Sequence, residues 1–215
     1  MTKPIKIEFV SDIVCPWCVI GLAGLEQALA AMGDEVAADI RFEPFELNPN
    51  MPPEGQNVTE HIAEKYGSTP AQSASNRAAI QARAAELGFT MNGTADSRIY
   101  NTFDAHRLLH WAGEHGLQAA LKQRLFVLYF TEGGNPSAAE ALVAAAASVG
   151  LDGDEARAIL DSDRYTADVR TAERLWVERG ITGVPAIVIN EKYLISGGQP
   201  PEIFEKALRQ IASES

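Results

Sequence analysis

The only two cysteines of this 215-residue chain stand close together in the segment SDIVCPWCVIG, as Cys15 and Cys18. Before them, IKIEFVSDI alternates apolar and polar residues, which is typical of a half-buried β-strand. After them, apolar residues recur at steps of three and four and predict a helix that ends at Gly33: Cys18, Leu22, Leu25, Leu29 and Met32. The pair therefore lies at a strand-to-helix turn, and it fits a redox site, half of a metal site or two core cysteines.

Strands and helices alternate at both ends of the chain. DIRFEPFEL follows the first helix as a second strand and completes a βαβ unit with parallel strands. Near the carboxyl end, the helix TADVRTAERLWVERG precedes PAIVIN and YLISG, which predict an antiparallel hairpin with a two-residue connection. The last helix, PPEIFEKALRQIA, begins with prolines. We therefore predict an α/β protein in which residues 1–50 and 165–215 build one sheet domain.

A helical block, residues 57–164, separates these two parts, and the proline-rich linker NPNMPPEGQN at 48–57 leads into it. The predicted helices are NVTEHIAEKYG, PAQSASNRAAIQARAAELG, DSRIYNTFDAHRLLHWAGEHG, LQAALKQRLFVLYF and SAAEALVAAAASVG. The last of these opens with a capping box formed by Ser137 and Glu140. Large aromatic residues on the helical stripes are expected in the core: Trp111, Phe126, Tyr129, Phe130 and Trp176.

Composition and charge exclude several classes of partner. A formal net charge of −11, from 18 basic and 29 acidic residues, argues against nucleic-acid binding, because such a surface repels phosphates. The sequence has neither a basic amphipathic segment nor an apolar run long enough to span a bilayer, so no membrane partner is expected. The amino-terminal segment MTKPIKIEFVSD lacks the apolar region of a secretion signal. We therefore expect a cytoplasmic protein, in which a structural disulfide would be unusual.

The order strand–CPWC–helix–strand, followed much later by helix–GVP–hairpin–helix, resembles the thioredoxin fold. The helical block between the two parts resembles the insertion of the DsbA family of thiol–disulfide oxidoreductases. The segments SDIVCPWCVIG, FEPFELNPNMP, NTFDAHRLLHWA and YFTEGGN are similar to the FrnE-like branch, a relative of 2-hydroxychromene-2-carboxylate isomerases and kappa-class glutathione transferases. The resemblance covers nearly the whole chain, and it implies a thioredoxin fold with a large all-helical insertion and a redox-active CPWC centre.

The place of the cysteines predicts different roles for the two thiols. Cys15 faces the unpaired amides and the positive end of the helix dipole, which favour the thiolate, the attacking species in disulfide exchange. Cys18 lies one turn inward on the buried stripe, where it would resolve the mixed disulfide. Pro16 suits the first helical turn. Strongly oxidising DsbA members carry a histidine where this chain has Trp17, so the resemblance implies a less oxidising pair here.

Further substrate contacts are implied by the resemblance. Pro185 of the GVP segment would follow a cis peptide bond and lie against the cysteines, leaving the backbone of Val184 to pair with an extended substrate. Pro16 and Trp17 would contact a peptide or glutathione. Packing of Trp17 against the insertion is an equal alternative.

The segment HRLLH offers a second group of candidates. In the FrnE-like context this helix would lie over the cysteines, and His106 or Arg107 would contact substrate; a packed helix face is the alternative for His106 and His110. Together with the cysteines, the two histidines are formally a Cys2His2 zinc set. The 88-residue gap between Cys18 and His106 is not a zinc-finger spacing, and Cys18 belongs to a core stripe, so we expect no metal.

The sequence leaves open whether an acidic residue relays protons to and from Cys18. Thioredoxin and DsbA keep a buried carboxylate six residues before the first cysteine, where this chain has Phe9. Asp12 and Glu8 are the substitutes nearest in sequence. We expect both of them to be solvated surface acids instead.

These observations predict a thiol–disulfide oxidoreductase that cycles Cys15 and Cys18 between disulfide and dithiol, and that reduces or isomerises disulfides in a reducing cytosol. No tightly bound cofactor is expected, and the candidate partners are glutathione and other thiols and disulfides, protein or small-molecule. A glutathione-dependent transferase or 2-hydroxychromene-2-carboxylate isomerase is one alternative, although those relatives usually carry serine at the first position and lack the second cysteine. A non-catalytic binding module is the other. Substrate, direction of electron flow and oligomeric state are left open.

Overall fold

The computed structural model describes residues 2–52 and 54–214. Met1, Pro53 and Ser215, which fall in the predicted segments 1–50, 48–57 and 165–215, lie outside the described residues. The elements are β1 (Lys3–Ser11), α1 (Pro16–Met32), a 3-10 turn (Gly33–Glu35), β2 (Val36–Pro44), β3 (Gln56–Asn57), α2 (Val58–Tyr66), α3 (Pro70–Glu86), β4 (Arg98–Ile99), α4 (Phe103–Glu114), α5 (Gln118–Phe126), a π-helical turn (Val127–Thr131), α6 (Ala139–Ser148), α7 (Gly153–Leu160), α8 (Thr166–Glu178), β5 (Ala186–Ile189), β6 (Tyr193–Ser196) and α9 (Pro201–Ser213).

Both ends of the chain contribute to one mixed sheet with the strand order β2-β1-β5-β6. β1 and β2 pair in parallel along their whole length, which confirms the predicted βαβ unit, because parallel neighbours need a crossover such as α1. β5 runs antiparallel to β1 and to β6. The predicted hairpin is confirmed, and its connection, residues 190–192, has three residues rather than two.

The helix after the cysteines is buried along the predicted stripe. Cys18, Leu22, Leu25 and Met32 are at most 3% exposed, and α1 packs against α9. Gly33 ends the helix at φ 52°, a value that favours glycine, and its amide donates to the carbonyl of Leu29. Burial on this side fixes the orientation of α1 on the sheet, and with it the position of the turn that carries the cysteines.

The insertion has an apolar cluster of its own, built mainly from α4, α5, α6 and α7. Its members include Leu108, Trp111, Leu125 and Ile159. Ile13, two residues before Cys15, is fully buried in the same cluster. The turn between β1 and α1 is therefore held between the sheet and the insertion.

The expected core aromatics divide into two groups. Trp111, Phe126 and Trp176 are buried, as predicted. Tyr129 and Phe130 are only half-buried and pack edge to face on each other, with ring centroids 4.7 Å apart. They pack against the edges of the apolar clusters and also line a groove described below.

Two local predictions in the insertion are wrong. The segment predicted as one helix from Asp96 holds the two-residue strand β4, which pairs with β3, and α4 begins only at Phe103. The capping box of Ser137 and Glu140 is absent, because α6 begins at Ala139 and the Ser137 hydroxyl donates to the Asn135 side chain instead. Asparagine side chains compete with helix caps for such local hydrogen bonds.

The division of the chain into segments 1–50, 57–164 and 165–215 stays a prediction. Ala84 and Phe126 of the insertion belong to the same apolar cluster as the sheet residues Phe9 and Ile187. The two parts therefore share buried surface.

Candidate active site

Cys15 is the residue from which α1 begins. Its backbone is extended at φ −93° and ψ 111°, and Pro16 takes the first helical position. Within the described chain no side chain caps this helix end, and its first turn carries no acidic residue. The Cys15 side chain therefore lies at the positive end of the α1 dipole, with no acidic or capping side chain of the first turn competing for this place.

Cys18 is one turn further along α1 and is fully buried in the core beneath Cys15. Both cysteines are free thiols. Burial first, and then the hydrogen bond and charge of Cys15, raise the pKa of Cys18 well above its ordinary value, while Lys122 and a backbone hydrogen bond at Asp12 lower it. Cys15 is 3% exposed and Cys18 is fully buried, and their roles as attacking and resolving thiol stay a prediction.

The GVP segment lies directly against the first thiol. The Sγ of Cys15 donates a hydrogen bond of 3.6 Å to the carbonyl oxygen of Val184, although these residues are 169 positions apart. The Val184–Pro185 peptide bond is cis. Pro185 in turn packs on α1 at Gly21, where any Cβ would lie 3.1 Å from the Pro185 Cγ. Gly21 thus permits the close approach of this segment to the helix of the cysteines.

A groove of about 660 Å³ opens in front of Cys15, and we call it the front groove. One wall carries Cys15, Pro16, Trp17 and Val184. The other wall belongs to the insertion and includes Ile62, Tyr66, Arg77, Met91, Tyr129 and Phe130. The structure thus brings four of the predicted site residues together on one surface, and Pro185 lies behind them against Gly21.

Trp17 stands on the rim of the front groove and is 44% exposed. Tyr66 of α2, also exposed, lines the same groove. Of the two expectations for Trp17, the structure shows the partly exposed one, because a cap packed against the insertion would be buried. Large exposed aromatic side chains beside a pocket are typical of surfaces that bind another molecule.

Asp12 is the clearest correction to the sequence analysis. We expected a solvated acid, and the structure places Asp12 fully buried in the turn that leads to Cys15. Burial alone would raise its pKa, but His106 and the Leu47 amide, which donates to Oδ2 at 2.7 Å, outweigh burial and hold the pKa of Asp12 below its ordinary value. Periodicity could not reveal this, because the contacts come from α4 and the segment after β2.

His106 does not line the front groove. It is 3% exposed, and its Nε2 lies 3.6 Å from Oδ1 of Asp12. Arg107 is also buried, and it donates to the backbone carbonyls of Ile159, Ser162 and Arg164. The structure therefore places His106 in a polar cluster behind the cysteines, and Arg107 at the end of α7.

Sequence reasoning missed Lys122 of α5. Its side chain is completely buried, and its Nζ lies 5.0 Å from the centroid of the Phe126 ring. Burial lowers the pKa of Lys122 to about 8, while the charges of Cys18, Asp12 and Cys15 raise it. The signal was present in LQAALKQRLFVLYF, because Lys122 stands four residues before Phe126 and so shares its apolar helix face.

A second opening of about 550 Å³ reaches this cluster from another side, and we call it the rear cleft. Lys122 and His106 line it together with residues 39–44 of β2 and residues of α4 and α5. It shares no lining residue with the front groove. Cys15 therefore borders the front groove, whereas Lys122 and His106 border a separate opening.

Neither a metal site nor a membrane span is found in the described residues. No group of three or more His, Cys, Asp or Glu side chains among them could hold a metal ion. Among the same residues, no helix is long and apolar enough to cross a bilayer.

A sheet carrying a dithiol turn, a cis-proline segment beside it and a helical insertion define a thioredoxin-like protein of the DsbA type. The profile of the DSBA-like thioredoxin domain matches residues 6–209, and the chain belongs to this family. It is 31% identical over 209 residues to the uncharacterized protein YwbO of Bacillus subtilis, across 97% of this chain and 96% of that protein.

Solved structures agree with this assignment. A probable DsbA oxidoreductase of Streptomyces coelicolor is 35% identical and superposes with a TM-score of 0.91, over 98% of this chain and 91% of that one. A 2-hydroxychromene-2-carboxylate isomerase is 20% identical, with a TM-score of 0.70 over 98% and 99%. The cytosolic disulfide reductase DsbM of Pseudomonas aeruginosa with glutathione is 18% identical, with a TM-score of 0.64 over 95% and 98%. The last two share the fold, and the expected thioredoxin fold with a helical insertion is confirmed.

Proposed function

We propose that this protein is a thiol–disulfide oxidoreductase that exchanges disulfides through Cys15 and Cys18. One observation carries the proposal: the thiol at the helix amino terminus opens into the front groove, and the second thiol is buried directly beneath it. This is the arrangement that nucleophilic attack followed by internal resolution requires. Membership of the DSBA-like family supports it.

The bonds that form and break in this chemistry involve only the two protein sulfurs and a substrate disulfide. The Cys15 thiolate attacks one sulfur of the substrate, which forms a Cys15–substrate mixed disulfide and releases the other sulfur as a thiolate. Cys18 then attacks the Cys15 sulfur, which forms the Cys15–Cys18 bond and releases the second substrate thiolate. The substrate gains two electrons and the enzyme loses them; reduced glutathione or another thiol would restore the dithiol.

The front groove suits an extended peptide or glutathione. The backbone of Val184 lies beside the Cys15 sulfur, where a substrate strand would pair. Arg77 of the opposite wall makes no ion pair among the described residues, so it is available for a substrate carboxylate. In a cytoplasmic setting the enzyme would act as a reductase or isomerase, as the resemblance to a cytosolic disulfide reductase suggests.

The test is disulfide reduction by matched single-thiol variants. Cys15→Ser should lower insulin reduction by about 1,000-fold or more, because it removes the attacking sulfur. Cys18→Ser should keep the attack and accumulate a Cys15–substrate disulfide visible by mass spectrometry. Undiminished reduction by Cys15→Ser would refute the proposal.

A glutathione-dependent transferase or isomerase is the second candidate, because the fold is shared with a 2-hydroxychromene-2-carboxylate isomerase and the front groove is large enough for a small organic substrate beside glutathione. Saturable turnover of a chromene carboxylate or of chlorodinitrobenzene, unchanged in Cys18→Ser, would favour this reaction. Loss of that turnover in Cys18→Ser would speak against it, because such chemistry needs only the first position.

A further inference from the structure

Three polar atoms behind the cysteines are buried and have no hydrogen-bond partner in the part of the chain that the structure describes. They are the Nζ of Lys122, the Nε2 of His106 and the Oδ1 of Asp12. The Nε2 of His106 and the Oδ1 of Asp12 face each other at 3.6 Å, whereas the Nζ of Lys122 has neither a hydrogen bond nor an ion pair among the described residues. Buried polar atoms are nearly always paired, so this exception indicates a role other than stability. Stability would favour apolar side chains in this place.

The cluster is adjacent to the resolving thiol. Among the charges that act on Lys122, that of Cys18 has the largest effect, followed by those of Asp12 and Cys15. His106 lies on the other side of Asp12, with 3.6 Å between Nε2 and Oδ1. The Lys122 amine and the Asp12 backbone thus act on Cys18, and the Asp12 side chain links this group to the His106 imidazole.

Cys18 needs a proton acceptor that the front groove does not provide. It is fully buried, and its thiol must lose a proton before its sulfur can attack. During the resolving step the groove holds the substrate bound to Cys15, which covers that side. The rear cleft remains free, and Lys122 and His106 line it.

We propose that Lys122 accepts the Cys18 proton in the resolving step and that this proton reaches solvent through the rear cleft. This inference rests on the proposed disulfide exchange. The step balances as follows: Cys18–SH, the mixed disulfide Cys15–S–S–R and the Lys122 amine give the Cys15–Cys18 disulfide, the thiolate RS⁻ and the Lys122 ammonium. The ammonium then releases its proton to water in the cleft.

The electrostatics of the surroundings support this role. The pKa of Lys122, about 8, lets the amine bind and release a proton near neutral pH, which an ordinary lysine cannot do. Asp12, with its lowered pKa, is ionised at that pH and balances the ammonium. The other charged or titratable groups around the cleft are His106, His110 and Glu114 of α4 and Asp39, Arg41 and Glu43 of β2.

The first arm of the test requires no exchange activity. In Cys15→Ser, the ultraviolet absorbance of the thiolate reports the titration of Cys18 alone. Adding Lys122→Met should shift this titration upward by about one pH unit or more, because the Cys18 thiol loses the amine that takes up its proton. Lys206→Met, at an exposed position of α9, is the matched control and should shift nothing. If Cys15→Ser titrates identically with and without Lys122→Met, the inference fails whether or not the protein exchanges disulfides.

The second arm follows the reduced protein with oxidised glutathione by acid quench and mass spectrometry. Lys122→Met should slow the loss of the Cys15–glutathione intermediate about tenfold at pH 7 and move the rise of this rate to higher pH, with its formation changed far less. The same pH profile should appear with the smaller hydroxyethyl disulfide, because the proton does not leave through the groove. A resolving rate and pH profile unchanged by Lys122→Met would overturn the inference, whereas a wild-type protein that forms no intermediate would contradict the proposed function instead.

Discussion

The front groove and the rear cleft are similar in volume, about 660 and 550 Å³, yet they differ in what lines them. The front groove presents Cys15 among aromatic and aliphatic side chains such as Trp17, Tyr66 and Met91. The rear cleft presents Lys122 and His106 among charged residues of β2 and α4. Cys18 and Asp12 are fully buried and line neither opening.

In the proposed disulfide exchange, this difference would separate two requirements of the reaction. Binding a peptide or glutathione beside the attacking sulfur benefits from apolar contact area and a free backbone edge. Deprotonating the resolving sulfur benefits from nearby charge, which is expensive to bury and would weaken an apolar binding surface. His106 of α4 and Lys122 of α5 line the rear cleft and not the front groove, whose charged side chains, such as Arg77, belong to the wall opposite Cys15. The insertion thus serves both sides, and the following experiments test whether the two sides are independent.

The largest effect is expected for Gly21→Val, which acts on the front side. A Cβ at this position would lie 3.1 Å from the Pro185 Cγ and 3.4 Å from the Gly198 Cα, and the valine methyl groups add further overlap. We expect a loss of about 3 kcal/mol in the free energy of unfolding, together with reduced activity, because Val184 is displaced from Cys15. Urea denaturation of the reduced protein measures the first effect and insulin reduction the second.

Gly113→Val is the control for this experiment. Gly113 also lies in a helix, α4, but a Cβ at this position would have the Gln118 side chain as its nearest neighbour, at 3.6 Å, which is an ordinary contact. Its free energy of unfolding should therefore change by less than about 1 kcal/mol. Equal denaturation midpoints for Gly21→Val and the wild type would show that the close packing of Pro185 on α1 does not matter.

The next largest effect is expected on the rear side, where a substitution should raise the free energy of unfolding at neutral pH rather than lower it. The pKa of Lys122 falls from 10.5 to about 8 on folding, so below pH 8 the folded protein bears the cost of a buried ammonium, at most about 3 kcal/mol. Lys122→Met removes this cost, and we expect it to stabilise the protein by about 2 kcal/mol at pH 7. Between pH 8 and 10.5 the unfolded chain binds more protons, wild-type stability rises, and the advantage of the variant disappears.

Urea denaturation from pH 7 to 10, in a background with both cysteines replaced by serine, measures this difference without thiol titration. Lys206→Met should show no such pH dependence. If the Lys122→Met protein is less stable than its parent at pH 7, Lys122 stabilises the fold. The functional difference between the front groove and the rear cleft would then be unsupported.

The front side could largely be predicted from the sequence, and the rear side could not. Cys15, Pro16, Trp17 and Val184 are recognisable because a short spacing at a strand-to-helix turn and a GVP segment carry a distinctive pattern. The expected buried stripe of α1 is confirmed for the same reason, since periodicity is a local property.

The rear cluster depends on contacts between distant segments. Asp12 is buried because α4 and the segment after β2 close over it, and no local pattern distinguishes it from a surface acid. The sequence suggests a substrate contact for His106 because its helix is expected over the cysteines, whereas His106 lies against Asp12 and lines the rear cleft. Of these residues, only Lys122 has a local signal in the sequence, because it is a cation on an apolar helix face.

The smallest effect is expected from Trp17→His on the rim of the front groove. An imidazolium near Cys15 would stabilise the thiolate and so the reduced form, which makes the pair more oxidising. Trp17 is 44% exposed, so solvent screens this charge, and we expect an increase in reduction potential of about 30 mV, equivalent to tenfold in the equilibrium with glutathione. The increase should shrink from pH 6 to pH 8 as the imidazole loses its proton, and Trp17→Phe should show no such increase.

A second measurement tests whether the front and rear sides are independent. In the Cys15→Ser background, Trp17→His should leave the Cys18 titration unchanged, because the charges that govern this titration come from the rear cluster. A shift of the Cys18 titration as large as that caused by Lys122→Met would show that the two sides are coupled rather than separate.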